Sequence, residues 1–307
     1  MALNKAMLTV LKAVSYADIN VKKNYKLERQ LVNLTHRRYI KQLAYQFWDH
    51  KVKVDDHEVP VRLYPAPQSV NDSLLIFYHG GGWVTGNIDS YDKVCANLAK
   101  ATNSTVISVD YRLAPEYKFP CALEDCYAIA RDVFLDDALF DIPKERIALI
   151  GDSAGGNLAA AVSLMARDRG EFLPQKQILL YPSTYNDHTE HSPYESIRTN
   201  GKDYFLTSKR IRDYMELYIS KPEDFYNPYF APLLSKDLSN QPNTLIITAE
   251  YDPLRDEGED YGERLKEFGN RVKNIRMKDS LHGFITLPPV FQQVRTAYEQ
   301  IADFLKK

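Results

Sequence analysis

The chain has 307 residues, with 41 acidic and 39 basic side chains and a formal net charge of -2. That length exceeds a minimal module and allows one large core with an insertion, while the balanced charge lacks the basic excess of a nucleic-acid-binding surface. The three cysteines, Cys95, Cys121 and Cys126, are too few and too scattered for a disulfide framework or a four-ligand zinc site, and read as reduced thiols of a cytoplasmic protein.

Residues 1–46 carry a helical pattern. Leu8, Leu11 and Val14 recur at helical spacing, and Leu31, Leu34 and Ile40 follow among lysines and arginines. The apolar run 6–11 is short and meets Lys12, so it lacks the core of a secretory signal, and no stretch is long enough for membrane insertion. The basic stretch 22–41 is interrupted by Glu28 and reads as a solvated helix face rather than an anion site.

Residues 51–64 alternate as a hairpin with its turn at 55–57, which leaves His57 exposed. The apolar run 74–78 fits a strand buried on both faces and ends in His79-Gly80-Gly81-Gly82-Trp83. A helix capped by Asp89 or Ser90 runs to about 100. Strand 105–109 leads into Asp110-Tyr-Arg-Leu-Ala-Pro-Glu116, and a helix covers 121–135. Strand 146–150, a helix from 157 to about 167 and strand 178–181 follow. This alternation implies a mostly parallel, doubly wound sheet. It breaks at 183–225, a polar and aromatic insertion in which Ile211, Met215 and Tyr218 mark one helix. Strand 244–248, helix 257–268, strand 272–277 and helix 290–304 complete the chain. Residues 1–50 and 183–225 are assigned to a helical cap, and 51–182 with 226–307 to the catalytic core.

The chemistry centres on Gly151-Asp152-Ser153-Ala154-Gly155, a G-x-S-x-G sequence between strand and helix. The small residues on either side of the serine are expected to let strand and helix approach closely, and Gly155 and Gly156 to free the turn backbone. A serine hydroxyl needs an adjacent base. Asp252 follows the strand 244–248, and His282 follows the last strand. Ser153, Asp252 and His282 therefore keep the order serine, acid, histidine, each at a carboxyl strand end. Asp256 is a rival acid, but with Glu259 it resembles a helix start. Asp279 shares a loop with His282, whereas the acid normally reaches from another strand. His79 precedes the serine and reads as a support for the glycine loop. His36, His50, His188 and His191 are placed outside the sheet, the last two in an exposed turn that lacks a third metal ligand. No Gly-Lys-Ser/Thr follows the glycines, which argues against a phosphate loop.

These motifs together resemble the hormone-sensitive lipase family of α/β-hydrolases, the bacterial family IV carboxylesterases. The matching stretches are 79–83, 110–116, 151–156, 252–258 and 282–284. The resemblance implies an α/β-hydrolase fold with a mostly parallel eight-stranded sheet, flanking helices and a cap. It implies a cofactor-free, metal-free serine carboxylesterase acting on small, short-chain esters through an acyl-enzyme. Ser153 would be the nucleophile, His282 the base and Asp252 the acid. Gly81, Gly82 and Ala154 would stabilise the oxyanion, and Trp83 and Phe284 would sit near the pocket. Arg112 with Asp110 or Glu116 is expected to hold the 110–116 loop beside the glycines. Many members form homodimers. Amide or lactone hydrolysis uses the same triad, and some relatives are non-catalytic binding proteins that lose a triad residue. An imidazole base implies activity that falls in acid.

Overall fold

A computed structural model describes residues 21–37, 46–68, 73–140 and 142–306. Its centre is an eight-stranded sheet in the order β1-β2-β4-β3-β5-β6-β7-β8. The strands are β1 (Trp48–Val54), β2 (His57–Tyr64), β3 (Leu74–Tyr78), β4 (Thr105–Val109), β5 (Ile147–Asp152), β6 (Lys176–Leu180), β7 (Asn243–Tyr251) and β8 (Val272–Leu281). β2 runs antiparallel to β1 and β4, and every other pairing is parallel. The expected α/β architecture is therefore present. The first hairpin begins three residues ahead of the predicted core boundary, and His50 lies within β1.

Burial on both faces explains the unbroken apolar runs of the central strands. In β3, Leu74, Ile76 and Tyr78 enter one core while Leu75 and Phe77 enter the other, across the sheet. Helices cover both faces: α2 (Asp92–Thr102), α3 (Cys121–Leu135), α4 (Ala154–Arg169), α7 (Arg255–Glu267) and α8 (Gln292–Leu305). Tyr91 stands ahead of α2, and Ser90 closes a turn with Asn87 instead of capping that helix. The insertion contributes α5 (Glu195–Asn200) and α6 (Ser208–Tyr218). Thr207 caps α6 by accepting from the Arg210 N–H at 3.2 Å, and Ile211, Met215 and Tyr218 form its buried stripe.

Of the N-terminal helical prediction, α1 (Val21–Arg37) is described; Leu8, Leu11, Val14 and Ile40 lie outside the described residues. Leu31 is exposed, and the basic side chains of α1 are not simply solvated. Lys22 pairs with Glu216 of α6. Arg29 donates to the carbonyls of Val84 and Ala114 at 2.8 and 2.9 Å and forms an ion pair with Glu116. Among the described residues, no helix is long and apolar enough to cross a membrane.

The 110–116 loop lies beside the glycines, since the Ala114 N–H donates to the Trp83 carbonyl at 2.8 Å. Its expected ion pair is different. Arg112 engages Asp125 of α3, with Nη2–Oδ1 at 2.8 Å, while Asp110 accepts from the Ile88 N–H. Asp125 also accepts from the Arg112 backbone N–H and meets His57 Nε2 at 2.8 Å, so His57 is half-buried rather than free in solvent. Removing the shared acceptor strands several donors at once. Asp125→Ala is expected to lower unfolding free energy by about 2–4 kcal/mol, read from urea titrations at neutral pH; a loss below about 0.5 kcal/mol would contradict this role.

Candidate active site

Ser153 occupies a sharp turn at the end of β5, with φ 54° and ψ -118°. A non-glycine residue in this region stores about 1–3 kcal/mol of strain. The turn holds because strand and helix meet at backbone contact. A Cβ on Gly155 would lie 1.9 Å from the Tyr78 carbonyl oxygen, and one on Gly151 would lie 2.2 Å from the Gly155 oxygen. The positive φ falls on the serine itself and not on Gly151, Gly155 or Gly156. These glycines thus permit the close approach expected of the small residues flanking the serine, whereas the backbone freedom also expected of Gly155 and Gly156 is not used. The helix also begins earlier than expected, at Ala154.

His282 follows β8, and Asp252 follows β7. The His282 Nε2 lies 2.8 Å from Ser153 Oγ, and its Nδ1 lies 2.7 Å from Asp252 Oδ2. Asp252 is fully buried, and its other oxygen accepts from the Leu254 N–H at 2.9 Å, which fixes the carboxylate plane. Among the described residues, neither rival acid is hydrogen-bonded to His282. Asp256 accepts from the Ser196 N–H at 2.7 Å, holding the insertion rather than capping its own helix. The Asp279 N–H donates to Glu250.

The glycine loop faces the serine. Gly81 and Gly82 have φ of 117° and 61°, and the N–H groups of Gly81, Gly82 and Ala154 donate to no described residue. The Gly80 N–H is taken by Asp152 Oδ1 at 2.7 Å. His79 is buried, stacks on Tyr111 with ring centroids 4.3 Å apart, and its Nδ1 meets the Gly80 carbonyl at 2.8 Å. Burial pulls its pKa down to about 4, so the ring is neutral at physiological pH.

These groups open onto a cavity of about 210 Å³, lined by Ser153, His282, Gly81, Gly82 and Trp83 from the sheet side. Glu28 and Val32 of α1, and Phe205, Leu206, Arg210, Ile211 and Tyr214 of the insertion, line it from above. The Trp83 ring is buried and stacks on Tyr218 at 4.7 Å. Phe284 lies outside the cavity wall. It packs on Tyr181, whose ring meets the edge of His282 at 4.8 Å, and so supports the histidine from the core. His188, expected in an exposed turn, is buried with its Nε2 2.7 Å from Glu257 Oε2, while His191 is exposed.

The family model described as alpha/beta hydrolase fold matches residues 75–286. An arylesterase of Saccharolobus solfataricus is 43% identical over 250 residues, covering 80% of this chain and 79% of that protein. An ethyl acetate hydrolase of Pseudomonas putida is 33% identical over 257 residues, covering 82% and 80%. The solved hyperthermophilic esterase of Pyrobaculum calidifontis superposes with a TM-score of 0.88 at 36% identity, covering 100% of this chain and 98% of that one.

Asp152 was visible only as a letter of the serine motif, yet it joins the serine turn to the glycine loop. Beyond Gly80 it accepts from Tyr91 Oη at 3.0 Å and Tyr181 Oη at 3.3 Å. Burial pushes its pKa up to about 6, against the opposing pull of those donors and of His282. Because burial penalises the ionised form, this carboxyl contributes most to stability below its unfolded value near 4, and the contribution is lost as pH rises through about 6. The melting temperature of the wild type relative to Asp152→Asn is therefore expected to fall between pH 4 and pH 7. A gap that stays constant or moves the other way would contradict this.

Proposed function

The chain belongs to the hormone-sensitive-lipase-like branch of the α/β-hydrolase fold family, and from that premise we propose that it is a serine carboxylesterase acting on short-chain esters through an acyl-enzyme. The observation that carries the reading is the continuous chain from Ser153 Oγ through His282 to Asp252, with contacts of 2.8 and 2.7 Å. His282 Nε2 takes the hydroxyl proton as Oγ attacks the ester carbonyl. Asp252 keeps Nδ1 protonated and stabilises the imidazolium that forms. Negative charge on the carbonyl oxygen is met by the N–H groups of Gly81, Gly82 and Ala154, the last at the positive end of α4. Each such donor contributes about 3 kcal/mol to the transition state. Collapse of the tetrahedral intermediate releases the alcohol, which carries off the proton held by His282. Water then gives a proton to the same nitrogen and attacks the acyl-enzyme, the acyl–Oγ bond breaks as His282 returns that proton to Ser153 Oγ, and the acid departs.

The elements over the site act as a cap. The modest cavity and its roof of Phe205, Leu206, Ile211 and Tyr214 favour small acyl groups, as does the acetate ester named for the Pseudomonas putida relative. On p-nitrophenyl esters of graded length, turnover is expected to peak between acetyl and hexanoyl and to fall at least about a thousandfold in Ser153→Ala. Efficient cleavage of palmitoyl esters would overturn the chain-length assignment, and turnover surviving in Ser153→Ala would overturn the nucleophile.

A further inference from the structure

The cavity beside Ser153 has polar side chains on its sheet side, among them Thr85, Ser183 and His282, and its roof carries one charged pair. There α1 and α6 bring a charged pair to the wall: Glu28 forms an ion pair with Arg210 through Oε1, and the same oxygen accepts from Tyr214 Oη at 2.7 Å. Both side chains line the cavity. Glu28 is only 4% exposed, and its Oε2 has no hydrogen-bond partner among the described residues. The pair stands close to the reacting centre. The Tyr214 ring that carries the hydrogen bond lies directly on the glycine loop, where a Cβ at Gly82 would come within 2.5 Å of it.

A carboxylate oxygen shut off from bulk water and lacking a donor is costly, and the cost is relieved by any ligand group that supplies one. A purely apolar acyl or alkyl chain reaching this wall would bury the ion pair further without compensation. A donor on the substrate would complete it. Oε1 is taken by Arg210 and Tyr214, so Oε2 is the acceptor left for such a donor. The sign of the neighbouring charge narrows the donor. The Arg210 guanidinium repels a cation and leaves the pair close to neutral, so an ammonium gains little there, whereas a hydroxyl is matched.

We propose that Glu28, held by Arg210 and Tyr214, is a specificity residue that selects esters bearing a hydroxyl group on the part of the substrate that reaches the roof. This rests on the esterase reading above and adds the substrate class to it. The nearest polar alternative in the roof, Tyr214, already spends its hydroxyl proton on Glu28, so Glu28 supplies the acceptor.

Matched substrates test it: p-nitrophenyl hexanoate against p-nitrophenyl 6-hydroxyhexanoate for the acyl side, and hexyl acetate against 6-hydroxyhexyl acetate for the alcohol side. The wild type is expected to favour the hydroxylated member of at least one pair by about tenfold in kcat/KM, equivalent to about 1.4 kcal/mol. Glu28→Leu is expected to bring that ratio to about one or below. Glu28→Gln, which keeps the shape and one acceptor oxygen, is expected to fall between them and carries the comparison should the leucine variant fold poorly. A wild-type ratio near one on both pairs, or a ratio that both variants preserve, overturns the proposal. Loss of both members in equal proportion in the variants assigns Glu28 a purely structural role and also overturns it. Absence of turnover above Ser153→Ala on every ester is a different result, since it defeats the esterase reading itself.

Discussion

The backbone contact between the start of α4 and the end of β3 is the constraint on which the site depends. With Gly155 seated against the carbonyls of Tyr78 and His79, the serine turn and the glycine loop cannot drift apart. Asp152 ties them a second time through the Gly80 N–H. Ser153 and the N–H groups of Gly81, Gly82 and Ala154 are thereby parts of one packed unit, and the strain at Ser153 is held by the two cores that flank the sheet. Preorganisation of this kind is what lets backbone dipoles stabilise a transient charge without rearranging when it appears.

Around that unit the chain uses polar ties to set the roof. Arg29 reaches from α1 to the Val84 carbonyl just past the glycines and to that of Ala114, Asp256 holds Ser196, and Glu257 binds both His188 and the N–H groups of Thr184 and Tyr185. Each tie runs between an element of the core, the glycine loop or α7, and α1 or the insertion. Individually such contacts are worth about a kilocalorie per mole, but they are directional, and direction is what positions a lid over a small cavity. The apolar packing of α6 supplies adhesion, and the ion pairs supply register.

What could be read from the sequence was local or periodic. Buried strands announce themselves as apolar runs, and the serine turn has its signature within five residues. The acid and the histidine were placed by their position after strands and by the resemblance. The failures share a cause. Arg112 was paired with near neighbours when its partner lies in α3, and His188 was placed in solvent because Glu257 is distant in the chain. Glu28 and Arg210 are 182 positions apart, so nothing local joins them. For the glycines of the serine turn, the close approach of strand and helix was legible, but the positive φ was assigned to Gly155 and Gly156 when Ser153 carries it. Phe284 belongs to the same class: its motif put it near the histidine, but only packing decides which side of the histidine it occupies.

The proposed chemistry requires Ser153 to be the single activated nucleophile of the chain. The direct measurement is stoichiometric inactivation with diethyl p-nitrophenyl phosphate, following p-nitrophenol release, residual esterase activity and the site of the adduct by mass spectrometry. One phosphoryl group per chain on Ser153, with activity lost in step and labelling abolished in His282→Ala, is the predicted result. Labelling at another residue, or activity that persists in a fully labelled chain, would contradict it.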